Sequence, residues 1–316
     1  MRLRMRAYRD DEDYWHLRQF LRQVMLLNER RQLSWHVARW DYWWWFINPE
    51  IEKIEISEIM SLWETEAGQL AAALLTESRG QAFLQIDPAL RIPELEEEMI
   101  AVAEKRNART APDGSQSLTV WAFGQDSLRQ EILIRRGYQK IVQPGEQEFI
   151  HRQALDEPVP AVPLTPGYTI RSMGDGLELL ERAYASGLGF HKDDIQVARN
   201  NRDHPEWYHR IQASPLYRRD LDIVATAADG STAAFCTAWF DDVSRTAYFE
   251  PVATVPAHQR RGLAKAVIIE GLHRLKHMGC KVAFVSGYST AANATYFSTF
   301  GTDCDILEPW LLQTRS

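Results

Sequence analysis

The apolar positions of the chain predict short strands and amphipathic helices in the same order in both halves. The first half is predicted to contain Leu3–Ala7, Asp13–Leu27, Ile59–Trp63, Leu70–Thr76, Ala82–Ile86, Glu94–Lys105, Ser117–Phe123, Ser127–Arg135 and Glu148–His151, with helices at the second, sixth and eighth places. The second half is predicted to contain Tyr168–Arg171, Leu177–Ser186, Leu221–Thr226, Ala233–Phe240, Ala247–Val255, Leu263–Met278, Val282–Ser286, Ala291–Phe300 and a strand near Trp310, with helices at the same places. The pattern predicts an internal repeat of two α+β domains, each a mixed, mostly antiparallel sheet flanked by helices.

A proline-rich stretch marks the boundary between the two predicted domains. Residues Leu155–Gly167 contain four prolines and keep neither a helical nor a strand period. We therefore predict a first domain at 1–154, a linker at 155–166 and a second domain at 167–316.

Composition and charge are those of an ordinary globular protein. Hydrophobic residues make up 45% of the chain, and 36 Lys and Arg against 43 Asp and Glu give a net charge of −7. No apolar run reaches the ~20 residues needed to cross a bilayer, and the N-terminus lacks the features of a signal peptide. We expect a cytoplasmic protein with no membrane partner, whose three cysteines are buried apolar side chains.

The stretch 247–266 has the sequence of a strand, a tight turn and a helix that together form an anion site. A β-rich run ends at Pro256, the turn contains Gln259-Arg-Arg-Gly-Leu-Ala264, and an amphipathic helix begins at once. Because the first turn of a helix has unpaired N–H groups, the amides from Arg260 to Lys265 can surround a diphosphate. Gly262 permits the close approach of the backbone that such binding needs.

This segment resembles motif A of the GNAT superfamily of acyl-CoA-dependent N-acyltransferases, whose loop reads R/Q-x-x-G-x-G/A. The resemblance covers residues 165–305 and implies acetyl-CoA as the acyl donor. It implies that the loop amides hold the pyrophosphate and that the backbone of the splayed fourth strand, where Pro251 removes a ladder donor, holds the pantetheine arm. The implied cofactor-binding residues are Val252, Ala253, Thr254, Gln259, Arg260, Arg261, Gly262, Leu263, Ala264, Lys265 and Asn293.

The resemblance also implies that a primary amine attacks the thioester directly and that a base takes a proton from the ammonium. Glu250, at the end of the fourth strand, is our candidate base, and a solvated or salt-bridged carboxylate is the alternative. The family often closes with N-x-x-A-x-x-L-Y-x-x-x-G-F, in which the Tyr protonates the departing thiolate. Counting back from Gly301 places Phe297 at that position, so the neighbouring Tyr296 is either the general acid or a core residue.

The first half lacks the features of the anion site. After its fourth strand, Pro93 removes an N–H, and Glu94 and Glu96–Glu98 place negative charge where a diphosphate needs positive charge. Four places before Gly137 the residue is Leu133, so the tyrosine is missing too. The first domain is similar to a degenerate GNAT repeat, in the layout of tandem GNAT proteins of the mycothiol synthase type, and we expect it to bind no CoA.

Two aromatic segments are candidates for an acceptor site. The run Ser34–Phe46 holds five tryptophans and is either an aromatic wall for a substrate or part of the core. In the second half, Phe190–Arg219 combines acidic and aromatic residues, which suit a cationic amine and a solvated loop equally. Its histidine spacings do not fit a metal pair, so no metal is expected.

The sequence thus predicts an N-acetyltransferase that uses acetyl-CoA and a primary amine of a small molecule or peptide. The alternative is a non-catalytic acyl-CoA-binding or regulatory module. A different acyl donor is also compatible, because the loop reads only the shared pyrophosphate. The acidic net charge argues against a nucleic-acid partner. The patterns specify neither the acceptor nor the oligomeric state.

Overall fold

The computed structural model of the chain describes residues 3–161, 165–191 and 194–314. They fall into two compact units: unit 1 consists of Met1–Ile150 with Asp305–Ser316, and unit 2 of His151–Cys304. Of the predicted linker, residues 162–164 lie outside the described residues.

The described residues contain fourteen strands and ten α-helices. The strands are β1 (Arg4–Ala7), β2 (Ser61–Glu64), β3 (Leu70–Leu75), β4 (Gln81–Ile86), β5 (Arg109–Thr110), β6 (Gln116–Phe123), β7 (Gln139–Lys140), β8 (Glu148–Ala154), β9 (Tyr168–Ser172), β10 (Asp222–Ala227), β11 (Thr232–Asp241), β12 (Thr246–Thr254), β13 (Val282–Gly287) and β14 (Cys304–Thr314). The helices are α1 (Asp11–Leu27), α2 (Val37–Tyr42), α3 (Ile56–Ile59), α4 (Pro93–Arg106), α5 (Ser127–Arg135), α6 (Leu177–Phe190), α7 (Ile195–Asp203), α8 (Glu206–Ala213), α9 (Leu263–His277) and α10 (Thr290–Phe300). A π-helix at Trp43–Glu52 continues α2, and 3₁₀ turns lie at Pro88–Leu90, Arg219–Leu221 and Pro256–His258.

The sheet of unit 1 has the strand order β1, β2, β3, β4, β6, β14. Its neighbouring strands are antiparallel, except that β4 and β6 pair in parallel as far as Ala82↔Val120. Apolar residues of α4 and α5, among them Met99 and Ile132, pack on one face of this sheet to form the core.

The sheet of unit 2 has the strand order β9, β10, β11, β12, β13. Only β12 and β13 are parallel in this series. Helices α9 and α10 bury one apolar side each, including Val267 and Phe300, against Phe249 and the rest of one sheet face. On the other face, the end of α6 lies against β12, since a Cβ on Gly189 would come within 3.0 Å of the Ala253 Cβ.

The structure confirms two mixed, mostly antiparallel sheets flanked by helices, with elements in the predicted order. One strand start was predicted wrongly: Ile59 ends the short helix α3, whose first turn is capped by the Glu55 carboxylate, and the strand begins at Ser61. The predicted extent of the second domain, 167–316, also needs correction. Residues from Asp305 onward belong to unit 1, because β14 pairs with β6 from Leu307↔Phe123 to Thr314↔Gln116.

Candidate functional site

The turn between β12 and α9 presents a row of main-chain amides. Arg260 and Gly262 adopt left-handed φ angles of 63° and 76°, which turn the chain into α9. Across the described ranges, no amide from Arg260 to Lys265 donates a hydrogen bond, and the N-terminus of α9 has no side-chain cap. A Cβ at Gly262 would meet no atom within 4 Å, so the space beside it is open. This geometry suits an anion with several oxygens.

The basic side chains of the turn differ in what they contact. Arg260 and Arg261 are exposed, and the main-chain carbonyl of Arg261 accepts a 2.7 Å hydrogen bond from the Thr165 hydroxyl. The Lys265 ammonium donates a 2.8 Å hydrogen bond to the Ser298 carbonyl of α10. Lys265 therefore ties α9 to α10, while the two arginines leave their charge at the surface of the turn.

The remaining predicted residues of the turn contribute through the backbone. Leu263 is buried in the core of unit 2, so only its amide faces the turn. The Gln259 side-chain amide donates a 3.2 Å hydrogen bond back to the Thr254 carbonyl, which joins the end of β12 to the turn. Ala264 is half-buried and adds no bulk at the helix start.

The parallel pair β12 and β13 opens into a gap. Its ladder stops at Phe249↔Val285, although β12 continues to Thr254 and β13 to Gly287. On its other side β12 stays paired with β11, with one register shift. The stretch Val252, Ala253 and Thr254 therefore pairs with β11 along one edge and borders the gap along the other.

Glu250 and Tyr296 meet at this gap. Glu250 is the first residue of β12 beyond the end of the ladder, and Tyr296 packs on Gly287, where an added Cβ would come within 2.9 Å of its ring. Burial, and then the negative charge of Glu250, raise the pKa of the Tyr296 hydroxyl, so it stays protonated at neutral pH. That hydroxyl makes no hydrogen bond to any residue that the structure describes.

The orientation of α10 places Tyr296, and not Phe297, at the gap. Tyr296 is 7% exposed, whereas Phe297 is 39% exposed. Counting residues back from Gly301 pointed to Phe297, because a motif count cannot give the rotation of a helix about its own axis. The structure thus places Tyr296 on the buried side of α10 and Phe297 on a more exposed side.

Asn293, predicted to contact the cofactor, is bonded to a histidine that the sequence did not single out. The Nε2 atom of His151, on β8, lies 3.0 Å from the Asn293 Oδ1 atom. The imidazole is completely buried and packs edge-on against Tyr296 and Phe297. A single histidine in a strand carries no motif, so sequence reasoning had no signal for it.

The candidate acceptor region of unit 2 forms α7 and α8, and its tyrosines are structural. The hydroxyls of Tyr208 and Tyr217 both donate to the buried Asp222 carboxylate. The buried Arg182 guanidinium lies 3.4 Å from the centroid of the Phe235 ring and 3.8 Å from Asp222. This cluster holds α6 and α8 on the sheet and leaves the acceptor contacts unassigned.

In unit 1 the turn between β4 and α4 corresponds to the amide turn of unit 2, and an ion cluster occupies it. Glu96, in the first turn of α4, is fully buried and accepts hydrogen bonds from Arg91 and Arg129 at 2.6 and 2.9 Å. Burial raises the pKa of Glu96, but the two arginines outweigh it and hold the pKa below its usual value. Between the separating ends of β4 and β6, Phe83 and Trp121 stack at 5.5 Å.

The tryptophan run of unit 1 packs within the unit. Trp40 and Trp43 are fully buried and stack at 5.6 Å, and Trp44 stacks on Tyr14 at 5.0 Å. The Tyr14 hydroxyl donates a 2.8 Å hydrogen bond to the buried Asp41 carboxylate. These contacts favour the core interpretation of the run over an aromatic wall for a substrate.

The part of the chain that the structure describes has no feature typical of a metal site or of a membrane span. No group of His, Cys, Asp or Glu there is arranged to hold a metal ion. None of the helices there is long and apolar enough to cross a membrane. Cys236 and Cys280 are buried free thiols.

Comparison with solved structures finds the same fold over nearly the whole chain. A GCN5-related N-acetyltransferase from Sphaerobacter thermophilus is 14% identical, with a TM-score of 0.64 over 99% of this chain and 96% of that one. A tandem GNAT protein from the clavulanic acid biosynthesis pathway is 14% identical, with a TM-score of 0.60 over 99% and 98%. A GNAT-family acetyltransferase from Colwellia psychrerythraea is 9% identical, with a TM-score of 0.59 over 98% and 100%.

Comparison by sequence gives a family for part of the chain. No curated protein matches it. The acetyltransferase (GNAT) family matches residues 189–301, which include β12, the amide turn, α9, β13 and α10. Residues 189–301 therefore match the acetyltransferase (GNAT) family, and the chain as a whole has the fold of tandem GNAT proteins.

Proposed function

We propose that unit 2 transfers an acetyl group from acetyl-CoA to a primary amine of a small molecule or peptide. The observation that carries the proposal is the continuity, within a GNAT family domain, between the amide turn at Arg260–Lys265 and the gap between β12 and β13. The turn suits a diphosphate, and the gap leads from it to Glu250 and Tyr296. These two groups carry the proton chemistry that transfer to an amine requires.

The residues of the turn and of β12 fit a CoA thioester. The amides from Arg260 to Lys265 would hold the diphosphate, and the exposed guanidinium groups of Arg260 and Arg261 would add positive charge. The backbone of Val252, Ala253 and Thr254 would bind the pantetheine arm along the gap. Acetyl-CoA supplies the acetyl group as an activated thioester when it is bound.

The side chains at the gap would divide the proton transfers between them. An ammonium cannot attack a thioester, so a base must first accept its proton, and Glu250 is the carboxylate at this end of the gap. Burial, and then the charge of Glu250, raise the pKa of the Tyr296 hydroxyl further above neutral pH, so the group is a proton donor and not a base. It would donate its proton to the sulfur that leaves, as nitrogen replaces sulfur on the carbonyl carbon.

The overall reaction is tested by thiol release from acetyl-CoA in the presence of single amines, polyamines, aminoglycosides and peptides. We expect thiol release with at least one class, together with one acetylated amine per thiol. Binding of acetyl-CoA without thiol release for any amine would favour the non-catalytic acyl-CoA-binding module. Faster thiol release from longer acyl-CoA thioesters would show that the acyl donor is not acetyl-CoA but a thioester with a longer acyl group.

We expect a CoA titration to saturate at one site per chain. In unit 1 the Glu96 carboxylate occupies the first turn of α4 and is held by Arg91 and Arg129, so a diphosphate there would have to displace a paired charge. Isothermal titration calorimetry measures the number of sites. Two sites per chain would contradict this interpretation. The variant Gly262→Asp then shows whether the remaining site lies in unit 1, because it changes only unit 2.

We expect the position of the hydroxyl on α10 to decide the rate. Tyr296→Phe should lower kcat about 100-fold, because the departing thiolate loses its proton donor. The double variant Tyr296→Phe with Phe297→Tyr keeps the composition but moves the hydroxyl about 100° around the helix, and it should not recover the rate. Steady-state kinetics with acetyl-CoA measures both, and recovery in the double variant would place the working hydroxyl at 297.

A further inference from the structure

The His151 imidazole contacts one complete face of the helical turn that carries Tyr296. Its Nε2 atom lies 3.0 Å from the Asn293 Oδ1 atom. Its ring centroid lies 5.6 Å from that of Tyr296 and 4.5 Å from that of Phe297, with interplanar angles of 66° and 85°. Because residues three and four apart share one face of a helix, this single ring touches α10 at all three positions of that face.

The hydrogen bond fixes the protonation of the imidazole. The Asn293 Oδ1 atom is an acceptor, so the His151 Nε2 atom carries the proton. Burial lowers the pKa of His151, so the ring is neutral at pH 7 and its Nδ1 atom is unprotonated. That Nδ1 atom is buried and has no hydrogen-bond partner.

The unpartnered Nδ1 atom of His151 is an energetic cost that an apolar side chain would avoid. An apolar ring could make the same edge contacts with Tyr296 and Phe297 and would leave no Nδ1 atom unpaired. What it could not do is donate to Asn293, whose side chain lies between His151 and Gly287 at the mouth of the gap. The function of the imidazole is therefore the bond to α10.

Asn293 couples this bond to the rotation of the helix. Its Oδ1 atom would lie 2.8 Å from a Cβ on Gly287, and the Tyr296 ring would lie 2.9 Å from the same point. Gly287 is thus covered by both side chains, which lie on the same small area of the β13 backbone. In this arrangement Tyr296 is buried beside the gap, whereas Phe297 packs against the His151 ring and is partly exposed.

We propose that His151 is a positioning residue: through Asn293 and its ring contacts it sets the rotation of α10 that places the Tyr296 hydroxyl, and not Phe297, at the gap. This inference rests on the proposed function, because the hydroxyl matters only where a thiolate leaves. His151 itself does not touch the reacting atoms. Its substitution should act on the rate only through Tyr296.

A double-mutant cycle tests this inference. His151→Phe keeps an aromatic ring against α10 but removes the donor to Asn293, and it should lower kcat about tenfold or more while the KM for acetyl-CoA stays within about twofold. In a Tyr296→Phe background the same substitution should change kcat by less than about twofold. His151→Gln, which retains an N–H donor, should recover part of the lost rate.

Two outcomes overturn the inference. An equal loss of kcat from His151→Phe in both backgrounds would show a general structural role, and unchanged kcat would show no role. If the wild-type protein releases no thiol with any amine, the proposed function fails, and the hydrogen bond is then tested alone. At pH 7 a ¹⁵N-histidine spectrum should show one imidazole fixed with Nε2 protonated, and Asn293→Ala should abolish that signature; its persistence would contradict the coupling.

Discussion

Gly262→Asp should reduce the affinity of the protein for CoA by at least about 100-fold, equivalent to ~2.7 kcal/mol. The residue lies in the middle of the amide turn with φ of 76° and open space beside it. An aspartate there would occupy that space and place a negative charge among the amides that would otherwise hold a diphosphate. Isothermal titration calorimetry with CoA measures the loss.

A control substitution at a second glycine distinguishes the effect of the aspartate on CoA binding from its effect on the backbone conformation. Gly145, in unit 1, also has a left-handed φ, 89°, and no atom within 4 Å of an added Cβ. Gly145→Asp therefore carries a similar conformational cost and the same added charge away from the turn. We expect both variants to melt at similar temperatures while only Gly262→Asp loses CoA. Wild-type affinity in Gly262→Asp would refute the assignment of the turn.

Glu250→Gln should lower kcat by about 10²- to 10⁴-fold, because an amide cannot accept the proton that the ammonium loses. The change preserves the size of the side chain at the end of the ladder between β12 and β13. The KM for acetyl-CoA should therefore stay close to that of the wild type.

The exposed Glu157 provides the control for this substitution. Glu157→Gln makes the same chemical change elsewhere in unit 2 and should leave kcat unchanged. Undiminished kcat in Glu250→Gln would support the alternative that this carboxylate only stabilises the strand. The base would then be another group or an ordered water.

The conformation of the amide turn was predictable because its determinants are local. A helix start, a glycine in a left-handed conformation and adjacent basic residues all lie within the stretch Gln259–Lys265. The gap between β12 and β13 was expected from the resemblance to the GNAT superfamily, and Pro251, which cannot donate to a ladder, fits that expectation. The turn can be inferred from neighbouring residues without knowledge of the tertiary structure, whereas the gap followed from the resemblance.

Other features depended on contacts that no local pattern encodes. The bond between His151 and Asn293 joins residues that are 142 positions apart. Lys265 was predicted to bind the cofactor, and its ammonium donates to the Ser298 carbonyl because α10 lies beside the start of α9. The sequence could show that a residue is basic, but not which of two nearby acceptors it reaches.

The position of β14 in the sequence has a consequence for the order in which the parts of the protein fold during synthesis. Its residues 307–314 complete the sheet of unit 1, and the Thr314 hydroxyl bonds to Gln116, 198 positions earlier. Everything in unit 2 is synthesised between those two partners. Unit 1 therefore cannot finish its sheet when its own first 150 residues leave the ribosome. The edge of β6 that pairs with β14 stays unpaired until Leu307–Thr314 have emerged.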